Sequence, residues 1–327
     1  MKKILLITLI SIIIITLSIL IIKRNKKETP LTKITVAEVT HSVFYAPWYV
    51  SIENDYFKEE NIEIDLILTP GADKVASAVL SGDANIGFSG PEATMYVLVN
   101  GSNERLFNFA SLTKRDGQFI VGDCSLKESF KIEDLKGKTV LAGRSGGMPL
   151  MMFNYALKEV NLEGEVKVDT SVEFASLTGA YISKQGDFVN LFEPNALNLE
   201  KENLGCALAS LGNLSGVVPY TTFYAKESYI YNNETIIKGF IKAINKGLTF
   251  VKENTAENIA KIILPQFPDT SLTDLTKIVQ RYKDADSWYE TTYINEKDME
   301  RLMDIMIYGN NLKEKIDTAL LITNEYN

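Results

Sequence analysis

Two glycine corners, a few isolated acids and a set of aromatics hold most of the chemistry available to this chain. Residues 81–93, Ser-Gly-Asp-Ala-Asn-Ile-Gly-Phe-Ser-Gly-Pro-Glu-Ala, read as a short apolar strand delivered into a turn and then a helix. Ile86 and Phe88 supply the strand, Gly90 permits close backbone approach, and Pro91 suits the first helical position, where a missing N–H costs nothing. The free N–H groups of a helix start favour negative groups. Glu92 offsets that preference with its own carboxylate, so this corner, with Ser89 beside it, suits a ligand bearing a hydrogen-bond donor or a positive charge. The second corner, Gly143 to Pro149, also lies between an apolar strand and a proline-started helix. There Arg144 and the backbone of Gly146, Gly147 and Met148 form the best anion seat in the chain.

Other residues of the right types fall at predicted strand ends or crossings. Phe44, Tyr45 and Trp48 could sandwich a planar ligand, and His41 could donate to an anionic or heteroaromatic one. Glu193 follows an apolar run ending at Phe192, which places a carboxylate at another strand end. Asp116 and Gln118 fall at a predicted outward crossing between two lobes, and Tyr220, Thr221 and Thr222 at the return. Each has a plainer use as well: Trp48 as core, His41 as a satisfied structural residue, Glu92 as a cap on its own helix, Arg144 as an exposed cation beside an ordinary turn.

The elements that must position these residues follow from periodicity. Residues 33–39 alternate as a first strand, 45–60 are helical, 62–68 form a second strand, 73–80 a helix ended by Gly82, and 84–88 a third strand. That β-α-β-α-β-α order predicts a doubly wound α/β sheet with right-handed crossovers. A second, similar unit begins with strands at 118–121 and 139–142 and a helix to about Lys158. Strands at 166–169, 188–192 and 204–208 complete it, and 217–225 crosses back. From Glu234 onward the pattern is amphipathic helix, with breaks around Pro265 to Asp269 and between Asp284 and Asn295.

Targeting and composition restrict the function further. Residues 4–22 are uncharged and rich in Ile and Leu, with Lys2 and Lys3 before them and Lys23, Arg24, Lys26 and Lys27 after, which is long enough to span a bilayer. No small-residue cleavage site and no lipid-accepting cysteine is evident. The expectation is an uncleaved signal anchor and linker over 1–32, a cell-membrane location, and a body held outside the cytoplasm. The positive-inside bias points the other way, but long domains translocate largely regardless of it. The chain carries 42 acidic and 34 basic residues, and six of the basic ones lie in 1–27, so nucleic acid is a poor partner for the remaining acidic body. Cys124 and Cys206 are 82 positions apart and have no metal-ligand spacing; they read as two buried thiols, with a single disulfide as the alternative. With one histidine in the chain, His41, there is little material for zinc or Ser/His catalysis, and neither metal nor cofactor is expected.

Taken together, Thr40 to Val50, Tyr56-Phe-Lys-Glu-Glu-Asn-Ile, Pro70-Gly-Ala-Asp, the 81–93 corner, Gly143 to Pro149 and Phe192-Glu-Pro resemble the nitrate/sulfonate/taurine and thiamine-pyrimidine family of periplasmic-type solute-binding proteins. The resemblance spans about residues 33–310 and is most specific in the 56–61 step and in Gly-Asp-Ala-Asn-Ile-Gly-Phe. It implies a type II two-lobed fold, here with an N-terminal transmembrane helix, and a ligand enclosed between lobes of 33–115 plus 221–327 and 116–220. It also implies delivery of that ligand to the permease and ATPase of an ABC importer, without catalysis. Aliphatic sulfonates or taurine suit the Arg144 corner, and an amino-pyrimidine or another heteroaromatic suits Glu92, Glu193 and the aromatics. Two other functions remain open: a ligand sensor or adaptor at the membrane, and an enzyme of thiamine-pyrimidine synthesis. That enzyme's known relative draws on histidine and clustered cysteines, which this chain lacks.

Overall fold

The computed structural model describes residues 30–143 and 145–327, so the apolar 4–22 segment and Arg144 lie outside the described residues. Ten strands, β1 (Thr32–Glu38), β2 (Ile62–Leu68), β3 (Ile86–Ser89), β4 (Leu106–Thr113), β5 (Phe119–Gly122), β6 (Thr139–Leu141), β7 (Lys167–Asp169), β8 (Phe188–Leu191), β9 (Cys206–Ser210) and β10 (Thr221–Lys226), form two five-stranded sheets. Their orders are β2-β1-β3-β10-β4 and β7-β6-β8-β5-β9. In the first sheet β1 runs parallel to β3, and β10 is antiparallel to both β3 and β4. In the second, β6 is parallel to β7 and β8, and β5 is antiparallel to β8 and β9. The two sheets therefore repeat one plan, in which the antiparallel fourth strand lies beside a crossing of the chain. Residues 114–118 carry the chain from β4 to β5, and residues 211–220 bring it back from β9 to β10.

β4 has no counterpart in the sequence pattern. All eight of its residues are buried, so its sequence, Leu-Phe-Asn-Phe-Ala-Ser-Leu-Thr, shows no reliable alternation of apolar and polar positions. Its outer edge is covered by the C-terminal segment: Asn108 N–H donates to Leu321 O at 2.9 Å and Ser111 N–H to Thr292 O at 2.8 Å. The other strands fall within a few residues of their predicted positions, and the 45–60 segment breaks into a 3-10 turn and helices at Ala46–Glu53 and Tyr56–Glu59.

The core beneath the first sheet is aromatic. Phe88 of β3 stacks on Phe223 of β10 with ring centroids 4.2 Å apart, and Trp48, Phe57 and Phe240 close around the pair at 5.0–6.1 Å. Trp48 is fully buried within this cluster, its indole Nε1 without a hydrogen-bond partner among the described residues. The helix Ala46–Glu53 and the long helix Glu234–Glu253 meet closely because Gly247 has no side chain; a Cβ there would lie 2.2 Å from Pro47 O.

The cysteines are also corrected: Cys124 and Cys206 form a disulfide. Their distance in sequence concealed this, because β5 and β9 are neighbours and Gly122 stands opposite Cys206 in the register. Because the bond closes a loop of 82 residues, its loss is expected to destabilise the fold by about 2–5 kcal/mol. Urea unfolding of a Cys124→Ser/Cys206→Ser variant against the oxidised protein measures this, and unchanged stability would contradict the pairing.

Candidate functional site

Ligands of open α/β sheets gather beyond the carboxyl ends of the parallel strands. In the first sheet, β3 ends at Ser89 and the chain turns through Gly90 and Pro91 into the helix Glu92–Val99. The Glu92 side chain folds back over the turn, so that a Cβ on Gly90 would lie 2.0 Å from its Oε2. A side chain at Gly90 would therefore displace the Glu92 carboxylate from this position. Beyond β1, Ser42 caps a 3-10 turn, its Oγ accepting from Phe44 N–H at 3.3 Å, and the turn sets Phe44 and Tyr45 inward. Tyr45 packs on Phe88 at 4.4 Å.

Phe44 is the meeting point. Its ring lies 5.8 Å from Phe192, which follows β8 in the second sheet, and 5.7 Å from Tyr220 on the return crossing. On the outward crossing, a Cβ at Gly117 would come within 2.7 Å of the same ring. Next to it Asp116 Oδ1 accepts from Gln118 N–H at 2.7 Å, and Gln118 Nε2 donates to Asn190 O in β8 at 3.2 Å.

Around this aromatic centre the polar atoms are poorly matched. Glu92, Asp116, Gln118, Asn190 and Tyr220 are all buried. Yet Glu92 Oε2, Gln118 Oε1 and both amide atoms of Asn190 have no hydrogen-bond partner among the described residues, and Asp116 Oδ2 and the Tyr220 hydroxyl have at most a weak interaction with each other. An unpaired buried polar group costs about 1–3 kcal/mol, so these atoms call for partners from outside the chain, water or a solute. Tyr220 ties the set together electrostatically, since its hydroxyl senses Asp116, Tyr45 and Glu92. Burial pushes the carboxyls of Glu92 and Asp116 up to about 7 each. No cation among the described residues offsets this for either group. The site thus presents two carboxyls, which donate while protonated and accept once ionised, with two side-chain amides and the Tyr220 hydroxyl.

Several predicted site residues have other partners. His41 Nδ1 bonds Glu38 Oε1 at 2.7 Å and Nε2 bonds Gln266 O at 2.9 Å, so both ring nitrogens serve the local structure. Glu193 is buried, but Oε1 accepts from Arg281 at 2.5 Å and Oε2 from Leu197 N–H at 2.8 Å, which leaves neither oxygen unpaired. Ser89 Oγ pairs with Tyr224 Oη at 2.8 Å, and Thr221 Oγ1 with Thr113 Oγ1 at 2.6 Å. Met148 is buried in the core. Gly146 has a φ of +89°, in the left-handed region, and is exposed, while Gly147 is half-buried at the start of the helix Met148–Glu159.

The sequence pattern missed Asn190 and Gly117. Asn190 was detectable as a lone amide within the apolar strand at 188–192. Gly117 gave no local signal, because its role depends on a ring 73 positions away. An open cavity of about 570 Å³, lined by Asp123, Lys184 and Asp187 among others, adjoins the amino ends of β6 and β8, at the wrong end of the sheet for a ligand of this architecture. Among the described residues no group of three His, Cys, Asp or Glu side chains could hold a metal ion.

Two sheets of one plan, joined by two crossings with a buried polar cluster between them, constitute the periplasmic-binding-protein fold. The chain belongs to the NMT1/THI5-like family, whose model matches residues 43–258. It is 39% identical over 302 residues, 92% of this chain and 90% of the other, to YtlA of Bacillus subtilis (strain 168), which carries the provisional name of a binding protein. Its fold is similar to that of the alkanesulfonate-binding protein SsuA of Xanthomonas axonopodis pv. citri bound to MOPS: TM-score 0.69, 12% identity, covering 90% of this chain and 99% of that one. It is also similar to the periplasmic nitrate-binding protein NrtA of Synechocystis PCC 6803: TM-score 0.69, 13% identity, covering 90% and 87%.

The raised carboxyls give a pH dependence with a definite sign. In the unfolded chain Glu92 and Asp116 lose their protons near 4.5 and 3.8, and in the fold only at about 7. Between those values the folded state holds protons that the unfolded state has lost, so stability falls as pH rises, by about 3–4 kcal/mol for each group. His41, raised mainly by its hydrogen bond to Glu38, acts in the same direction. Thermal melts from about pH 5 to 8 are expected to show a declining midpoint in the ligand-free protein, with a shallower slope in Glu92→Gln and Asp116→Asn. A slope that those substitutions leave unchanged would contradict the assignment.

Proposed function

We propose that this chain is the extracytoplasmic substrate-binding component of an ABC importer, which encloses one small organic solute between lobes of 33–115 plus 221–327 and 116–220. The observation that carries this reading is the buried, incompletely paired set of Glu92, Asp116, Gln118, Asn190 and Tyr220 at the junction of the sheets. Family membership and the provisional binding-protein name of the Bacillus relative support it. So does the disulfide, which belongs to oxidising compartments outside the cytoplasm. Residues 4–22 would tether the body to the membrane. Among the described residues no helix is long and apolar enough to cross one.

The preferred ligand is flat and brings donors. Phe44, Tyr45 and Tyr220 offer ring faces, and Glu92 and Asp116 accept from an amine or pair with a cation. A thiamine-type amino-pyrimidine meets both demands. Taurine meets the second with its ammonium, its sulfonate then falling to the Gly146-Gly147 amides beside Arg144. A bare alkanesulfonate or nitrate would place its charge against two carboxylates once these ionise, above about pH 7. A sensor or adaptor role would use the same site, and would be favoured if deletion altered gene expression while sparing uptake.

Thermal-shift measurements on the full chain in mild detergent test this reading. An amino-pyrimidine or taurine at about 100 times its dissociation constant is expected to add about 2.7 kcal/mol of stability, with no product formed. Glu92→Gln or Asp116→Asn should weaken binding about tenfold or more, the loss expected for a hydrogen bond to a charged group. An alkanesulfonate without an amine that stabilises the protein equally would overturn the ligand class, and turnover would overturn the binding role.

A further inference from the structure

The helix Leu272–Asp284 is fixed to the first-sheet side of the molecule. Lys283 Nζ donates to Val251 O and Asn254 O at 2.6 and 2.7 Å, at the end of the helix Glu234–Glu253, and the Tyr282 ring packs on Phe44 at 5.2 Å. From that base it reaches the segment after β8, on the second-sheet side, through three separate connections. Arg281 holds the buried Glu193 at 2.5 Å with one nitrogen and Glu200 with the other. Tyr282 Oη accepts from Glu193 N–H at 3.2 Å, and Lys201 Nζ pairs with Asp274 at 2.6 Å. None of these side chains belongs to the unpartnered cluster at the ligand site.

We propose that this helix is a latch that holds the two sheets together without help from the ligand, and that Arg281 is its positioning residue. The proposal rests on the two-lobed reading above but needs no ligand to test it. A guanidinium can serve both carboxylates at once because its planar fork carries five donors, whereas a lysine ammonium is a single point of charge. Separating the sheets would strip Arg281 from the fully buried side chain of Glu193, and breaking one partner from a buried pair is costly because the other is left unmatched. The latch therefore biases the molecule towards the closed form before any solute arrives, and release must disrupt contacts remote from the solute itself.

The test is a distance measurement between spin labels on exposed Lys74, on the first-sheet side, and Glu128, on the second, in the full chain with no solute added. The wild type is expected to give mainly the short, closed distance. Arg281→Met should shift the distribution to longer distances, and Arg281→Lys should give an intermediate one. High salt should broaden the wild type by weakening the Lys201–Asp274 pair, which is partly exposed. Lys201→Asp, which leaves Asp274 and its hydrogen bond from Ser271 at the helix start in place, should also shift the distribution to longer distances. An open wild type, or an Arg281→Met distribution that matches the wild type, would overturn the latch and leave the binding function standing. If Arg281→Met fails to fold, Lys201→Asp decides the matter by the same comparison.

Discussion

The Phe44 ring is where both halves of the molecule come together, and it can sit there only because Gly117 has no side chain. A Cβ at that glycine would fall 2.7 Å from the ring. Phe44 leaves β1 of the first sheet, Gly117 belongs to the outward crossing, Tyr220 to the return and Phe192 to the second sheet, so four parts of the chain meet on one ring. Trp288 fixes the ring's backbone by donating to Phe44 O at 2.7 Å. Any change in how the sheets face each other must alter this contact, which also borders the candidate site.

Around that apolar centre the molecule accepts an electrostatic cost that packing alone does not explain. Glu92 and Asp116 could have been replaced by well-packed apolar residues, often at no loss of stability, since burying an unpaired acid is unfavourable. Their retention without a cation among the described residues places the expense at a single location. Glu193, an equally buried acid, shows the opposite arrangement, in which Arg281 and a backbone N–H pair both of its oxygens. The contrast separates an acid whose two oxygens are both paired within the chain from acids that each keep one oxygen without a firm partner.

Much of the architecture was legible in the sequence because strands β1, β2 and β3 alternate and their helices are punctuated by Gly71, Gly82 and Pro91. The Gly90–Glu92 corner was legible for the same reason: the strand ends, the glycine and the acid all lie within a few residues. β4 was hidden because burial on every side removes alternation, and the disulfide because strand order, not spacing, brings Cys124 near Cys206. His41 and Glu193 had the right residue types for ligand contact but pair within the chain with Gln266 and Arg281, far along it.

By itself, then, the sequence determined the α/β class, the two repeated units and the residues that enter the glycine corners, because helices, strands and turns are encoded by neighbours. Only the tertiary structure decided which of several similar side chains stayed unpaired. Whether Glu92 or Glu193 is available to a ligand depends on what the folded chain brings within 3 Å of it, and for Glu193 that is an arginine 88 positions away. Pairing of this kind follows from the packing of sheets and distant helices, which no local pattern contains.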